Sequence, residues 1–365
     1  MRRILMVASL WALGASCATV GTPDDETRVT STTPETVPSV ADAAVPEGAG
    51  DAPPVGPAAW ERYQHERRFD CVGPLEEMEG AYLFEAGMWK VSLYGHYCHL
   101  QGREGAARAI SVGVLGAPKD ALPATLANIE DSLGWFRDAG VGLVVVNGDV
   151  GYSAEDMEAT LVTLAGAQMP VFVHAGNADP LSTFNRVLKV VSRRHPNVIS
   201  MNLVRRVEVG GHSLISLPGY HDPRYISEGN GCQYYGEDVR ALEELFSDAR
   251  GVPVVIAHGP PLSEGADAID YAFDAGNVGD PALRALLDEQ GVPYGVFGHI
   301  LEAGGRVERV VSPQPDDRGA ARLQFNAGTV GSIGSDTHEG GRYQGMAAIL
   351  HLGADGGRVV FRSSP

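Results

Sequence analysis

Residues 141–149 read Val-Gly-Leu-Val-Val-Val-Asn-Gly-Asp. A run of aliphatic residues with no polar alternation is the pattern of a strand buried on both faces. Asn147-Gly148 breaks the run, turns the chain and leaves Asp149 just past the strand end. Three further runs share this design. Val171–Val173 leads to Asn177 in Gly-Asn-Ala-Asp, Val252–Ala257 leads to His258 in His-Gly-Pro-Pro, and Tyr294–Phe297 leads to His299 in Gly-His-Ile-Leu-Glu. Side chains at such strand ends converge on one sheet edge, where open α/β proteins hold their ligands. A carboxylate, an amide oxygen and two imidazoles form a mixed donor set suited to a divalent transition metal.

Working outward, helices separate these runs. Leu122, Leu126, Ile129, Leu133 and Phe136 lie at helical spacing and form one apolar stripe, which Gly140 ends. Further helices are expected over 154–165, 181–194, 237–249 and 281–290, the last capped by Asp280 with Pro281 in its first turn. Ala109–Leu115 reads as a strand, Val204–Leu217 as a hairpin turning at Gly210-Gly211, and Met346–Arg362 as a second hairpin. Strands alternate with helices first, and the later strands look hairpin-linked. That order predicts an α/β fold of two mixed sheets packed together with helices outside. The 219–236 stretch, with Tyr220, His221, Tyr225, Tyr234 and Tyr235, reads either as a wall of any cleft or as an ordered surface loop packed by its aromatics.

The ends of the chain read differently. Met1-Arg2-Arg3 is a basic start, and Ile4–Ala15 is an apolar stretch too short to span a bilayer. Ala15-Ser16-Cys17 resembles a bacterial lipoprotein processing box, with Gly14 where such boxes prefer Leu. The expectation is a signal peptide over 1–17 with lipid attachment at Cys17; ordinary cleavage near Ala15–Ala18 is the alternative. Residues 18–58 are rich in Thr, Pro, Ala, Asp, Glu and Gly, a composition that cannot bury a core and reads as a tether. Residues 59–104 are too few to stand alone and are expected to pack on a main domain spanning 105–365. The formal net charge of −18 argues against nucleic acid as a partner. Cys71, Cys98 and Cys232 show no Cys-x-x-Cys pair. In an exported chain a Cys71–Cys98 disulfide is the expectation, with Cys232 free and buried.

The order Gly-Asp, Gly-Asn-x-Asp, His-Gly, Gly-His, with Asn326-Ala327-Gly328-Thr329 behind it, resembles the calcineurin-like metallophosphoesterase family from about residue 109 to about 333. The resemblance implies a four-layer α/β/β/α sandwich and a centre of two divalent ions that orients a phosphoester and activates water. It assigns one ion to Asp149, Asn177, His258 and His299. The other ion would need ligands at positions 116, 118 and 301, where this chain has Gly116, Pro118 and Leu301. None of these three side chains can donate electrons to a metal. The His that would contact the phosphate is replaced by Ala178, and Asp179 is expected to orient His258 or a backbone turn. Asp120, His174 and His221 are the candidates for rebuilding the vacated half.

The expectation is therefore one divalent ion (Zn, Mn or Fe) and weak or absent phosphoester hydrolysis. The ligand would be a phosphorylated small molecule or envelope component, met by an exported lipoprotein held at a membrane through its anchor. The alternative is a non-catalytic binding or scaffolding module on the same fold. Gly-x-Ser-x-Gly, His-Glu-x-x-His and phosphate-loop signatures are absent from the sequence.

Overall fold

The computed structural model describes residues 53–102, 109–227, 230–310, 322–337, 340–353 and 356–364. The expected signal peptide, Cys17 and most of the expected tether lie outside the described residues.

The chain opens with β1 (Pro54–Val55), α1 (Pro57–Glu66) and an antiparallel meander, β2 (Glu77–Ala86), β3 (Trp89–Gly95) and β4 (Tyr97–Gly102). Three strand–helix units follow: β5 (Ile110–Gly116) with α2 (Pro123–Asp138), β6 (Leu143–Asn147) with α3 (Ala154–Ala165), and β7 (Val171–His174) with α4 (Leu181–Arg194). Next come β8 (Val198–Ser200), the hairpin β9 (Arg206–Val209) and β10 (His212–Leu217), α5 (Gly236–Ser247) and β11 (Val252–Ala257). A small ribbon, β12 (Tyr271–Ala272) and β13 (Gly276–Asn277), precedes α6 (Pro281–Glu289) and β14 (Tyr294–Phe297). The described chain closes with β15 (Val307–Val310), β16 (Arg322–Asn326), β17 (Ser335–Asp336), β18 (Arg342–Gly353) and β19 (Gly356–Ser364).

Two large sheets result. One runs β17-β18-β5-β6-β7-β8, with β19 paired to β18; the other is ten-stranded, β1-β2-β3-β4-β9-β10-β11-β14-β16-β15. The strand period of two sorts their side chains into layers. Val112, Val114, Leu143 and Val145 of the first sheet share an inner core with Leu214, Val254, Ile256 and Val296 of the second. The alternate residues Leu115, Val144 and Val146 face Ile129, Leu133 and Phe136 of α2 and Leu161 of α3. On the other outside, Ile215, Val255 and Ala257 meet Leu242 of α5 and Leu286 of α6. Full burial of each such side chain contributes about 1.5–3 kcal/mol. This is the expected α/β/β/α sandwich.

Three details differ from the sequence reading. The strands β10, β11, β14 and β16 are mutually parallel: β10 keeps its expected hairpin with β9, α5 and α6 carry the crossovers to β11 and β14, and β15 lies between β14 and β16 in the chain. The meander β2-β3-β4 extends the second sheet by pairing β4 in parallel with β9, so its strands are members of the sheet. Pro54–Val55, inside the stretch read as tether, pairs with Ala81 and Tyr82.

The cysteine expectation is overturned. Cys71 is bonded to Cys232, with Cα atoms 5.1 Å apart, and Cys98 is the free, buried thiol. Cys98 lies within β4 with its side chain in the inner core, where burial pushes its thiol well up. The bridge instead ties the segment after α1 to the 219–236 loop.

Candidate metal centre

The parallel strands β6, β7, β11 and β14 end side by side or face to face at one rim of the sandwich. Asp149 and Asn177 come from the first sheet, His258 and His299 from the second. Ligand atoms of Asp149, His258 and His299 all lie within 4.8 Å of one another, the one such group of three among the described residues. Asn177 joins them through its Oδ1, 2.8 Å from His258 Nε2. All four sequence-derived donors thus meet at one place.

His258 is fully buried, and its two ring nitrogens have separate tasks. The Nδ1 lies 2.9 Å from the main-chain carbonyl of Asn147. A carbonyl only accepts, so Nδ1 carries the proton and donates to it. In a neutral ring Nε2 is then a lone pair, and in a protonated ring it is a second donor. It faces Asn177 Oδ1, and Asp149 Oδ1 at 3.4 Å. The Asn177 amide is oriented by its own Nδ2, which donates to the Tyr225 carbonyl at 2.5 Å. Its oxygen is therefore the atom turned toward His258. Close approach of this kind needs the glycine at 148, where φ is +77° and an added Cβ would sit 2.3 Å from His258 Nδ1.

The remaining donors are held under backbone strain. Asp149 has φ +54° and His299 has φ +63°, both in the left-handed region that costs a non-glycine residue of order 1 kcal/mol or more. Asp149 Oδ1 accepts from the Ala178 amide at 3.0 Å. Burial alone would raise the Asp149 carboxyl, but His258, Lys119 and His299 outweigh it and hold the group below the ordinary carboxylate range. His299 packs against the Tyr220 ring at 4.0 Å between centroids. Burial, with His258 beside it, lowers the His299 imidazole to about 3. An ionised carboxylate beside a neutral imidazole is the form in which both side chains bind metals.

Asp179 organises the turns rather than His258. Its Oδ1 accepts from the Val150 and Gly151 amides at 2.7 and 3.1 Å, and its Oδ2 from Gly176 at 2.8 Å. It thereby ties the turn after β6 to the turn after β7. Burial and the neighbouring Asp149 push its carboxyl up to about 8, while the three amides pull the other way.

The positions expected to be vacant offer no donor. An added Cβ at Gly116 would lie 2.1 Å from the Gly328 carbonyl oxygen, so the turn after β16 fills that space. Pro118 is buried, and Leu301 opens a short 3-10 turn whose carbonyl accepts from Tyr343 Oη at 2.6 Å. The three candidates for repair are engaged elsewhere. Asp120 Oδ1 accepts from Leu122 N and Thr125 Oγ1 at the start of α2. His174 Nε2 is 2.6 Å from Asn147 Oδ1, behind the donors, and His221 packs on Tyr220 and Tyr234. Sequence reasoning missed Asn147, whose main-chain role leaves no side-chain signature, and Lys119, whose ammonium lies 3.9 Å from Asp149 Oδ2.

No family model matches the chain, and no curated protein matches it. Among solved structures, TT1561 of Thermus thermophilus aligns with a TM-score of 0.50 at 15% identity, covering 69% of this chain and 98% of that one. A dimetal phosphatase from Danio rerio gives 0.44 at 12% identity, covering 70% of this chain and 95% of that one. Purple acid phosphatase PPD1 from yellow lupin gives 0.43 at 14%, covering 73% and 56%. The first alignment establishes a likeness of fold; the other two are too loose to carry a residue or an activity across.

Proposed function

We propose that this chain is a divergent metallophosphoesterase-type protein that keeps one metal position, formed by Asp149, Asn177, His258 and His299. Hydrolysis of phosphoesters is weak or absent, and the ligand is a phosphorylated small molecule or envelope component. One observation carries this reading. With the His258 ring neutral and its proton on Nδ1 toward the Asn147 carbonyl, Nε2, Asn177 Oδ1 and Asp149 Oδ1 converge as three lone-pair donors. A divalent cation would satisfy all three, and a proton on Nε2 takes its place in the metal-free form. Two imidazoles, a carboxylate and an amide oxygen fit Zn, Mn or Fe. A bound ion would supply Lewis acidity and a more acidic water.

The reduced power of this centre follows from what lies opposite. Gly116, Pro118 and Leu301 bring no donor for a second ion, and Ala178 brings no proton-transfer group. Export with lipid attachment at Cys17 belongs to the same proposal. The leader sequence supports it, and so does the Cys71–Cys232 bridge, since disulfides persist in oxidising compartments.

Metal analysis of chelator-free protein, joined to turnover of bis-p-nitrophenyl phosphate and p-nitrophenyl phosphate, tests the proposal. The expected result is one ion per chain and slow turnover at best, abolished by a chelator. Two ions per chain would overturn the one-site reading. A chain with no ion and no turnover would be the non-catalytic envelope module instead.

A further inference from the structure

Asp149 presents two oxygens to different surroundings. Oδ1 is taken by the Ala178 amide and lies beside His258. Oδ2 points the other way, toward Lys119 Nζ at 3.9 Å. The Lys119 side chain is 28% exposed, so its ammonium lies beside the buried carboxylate while remaining partly open to solvent. Its position is fixed by main chain. The Lys119 amide donates to the Asp149 carbonyl at 2.8 Å, and the Lys119 carbonyl accepts from Tyr152 at 3.2 Å. The residue is held at φ +66°, and Ala117 before it at φ +34°. Two left-handed non-glycine residues in one short loop represent strain of roughly 1–3 kcal/mol each, which persists only where the surroundings over-determine it. Asp120, next in sequence, is anchored as the start of α2.

We propose that Lys119 is a fixed cation of this centre: its ammonium holds Asp149 from the side away from His258 and, on its solvent-open side, binds an oxyanion of phosphate type. The inference rests on the one-ion reading above and names the group that completes it. Gly116, Pro118 and the Gly328 turn beside it bring no side-chain charge of their own. An ammonium is a point charge with three donors, able to serve Asp149 and a phosphate oxygen at once. It differs from a second metal ion in that it activates no water. Lys119 therefore favours holding a phosphate over cleaving its ester.

The test compares wild type with Lys119→Met and Lys119→Arg in two separate titrations, Mn²⁺ into metal-free protein and orthophosphate into metal-loaded protein. Removing a like charge beside the metal position should tighten Mn²⁺ binding in Lys119→Met by roughly three- to tenfold. Losing a charge-assisted contact should weaken orthophosphate binding by about tenfold or more. Lys119→Arg should stay near wild type in both. Tighter Mn²⁺ with unchanged orthophosphate would make Lys119 only a neutraliser of Asp149 and overturn the proposal, as would unchanged or weaker Mn²⁺ binding. A wild type that takes up no Mn²⁺ sinks the one-ion centre, and Lys119 is then read from orthophosphate binding to the ion-free protein. There, a loss in Lys119→Met keeps the anion site, and no loss ends it.

Discussion

The rim of this sandwich has two unlike lips. On one, the ends of β6, β7, β11 and β14 present a carboxylate, an amide oxygen and two imidazoles to a common point. On the other, the end of β5 and the turn after β16 present backbone, carbon and a single ammonium. The first lip is held by main-chain bonds on every side: Asn147 on His258, Tyr225 on Asn177, and three amides on Asp179. Those bonds hold the four side chains converged on one point. The second lip has closed on itself. Where the family resemblance would put a carboxylate, at position 116, the Gly328 turn occupies the room.

The sharpest way to break this contrast is to write a donor back. Gly116→Asp restores a carboxylate in sequence but asks for a Cβ 2.1 Å from the Gly328 oxygen. Main chain cannot swing aside as a flexible side chain does. Overpacking and a buried unpaired charge together should cost about 3–5 kcal/mol, measured by urea unfolding. Metal stoichiometry should not rise. A stable variant that takes up a second ion would show the second lip to be open.

The next largest effect attacks the donor lip through its support. The Cys71–Cys232 bridge anchors the loop carrying Tyr225, and a Cβ at Gly231 beside it would already meet the Asn177 carbonyl at 2.0 Å. With its ends 161 positions apart in sequence, the bridge restrains a long stretch of the unfolded chain. Cys232→Ser should lower stability by about 2–5 kcal/mol and weaken metal binding, since the Asn177 amide loses its fixed orientation. The same stability loss with unchanged metal affinity would detach the loop from the donor lip.

How much of this was readable in residues 109–333 depended on the kind of signal. The buried runs announced β5, β6, β7, β11 and β14 because double-faced burial leaves an unbroken aliphatic record. The four donors followed from their place just after those runs. The parallel course of β10, β11, β14 and β16 left no such mark, because a strand's direction is set by the connections between strands and not by its own side chains. The disulfide partner was a matter of tertiary distance, and nearness in sequence favoured Cys98 wrongly. Asn147 acts through a carbonyl that any residue carries. Lys119 was legible only as a lysine after Pro118; its approach to Asp149 depends on a positive φ that no local pattern announces.

The smallest expected effect is the most discriminating, because it separates a closed lip from an unfilled one. Leu301→His places an imidazole at a half-buried position, and the turn there is held by the Leu301 carbonyl, which accepts from Tyr343 whatever side chain residue 301 carries. The cost should stay within about 1 kcal/mol, the usual range for a substitution that breaks no buried contact network. The new imidazole has no companions, because Gly116 and Pro118 remain donor-free and Asp149 Oδ2 faces Lys119. Titration with Mn²⁺ should therefore still end at one ion, with an affinity close to wild type. A second ion in this variant would mean that a lone imidazole and one carboxylate oxygen suffice, and that the ammonium of Lys119 yields its place to a metal.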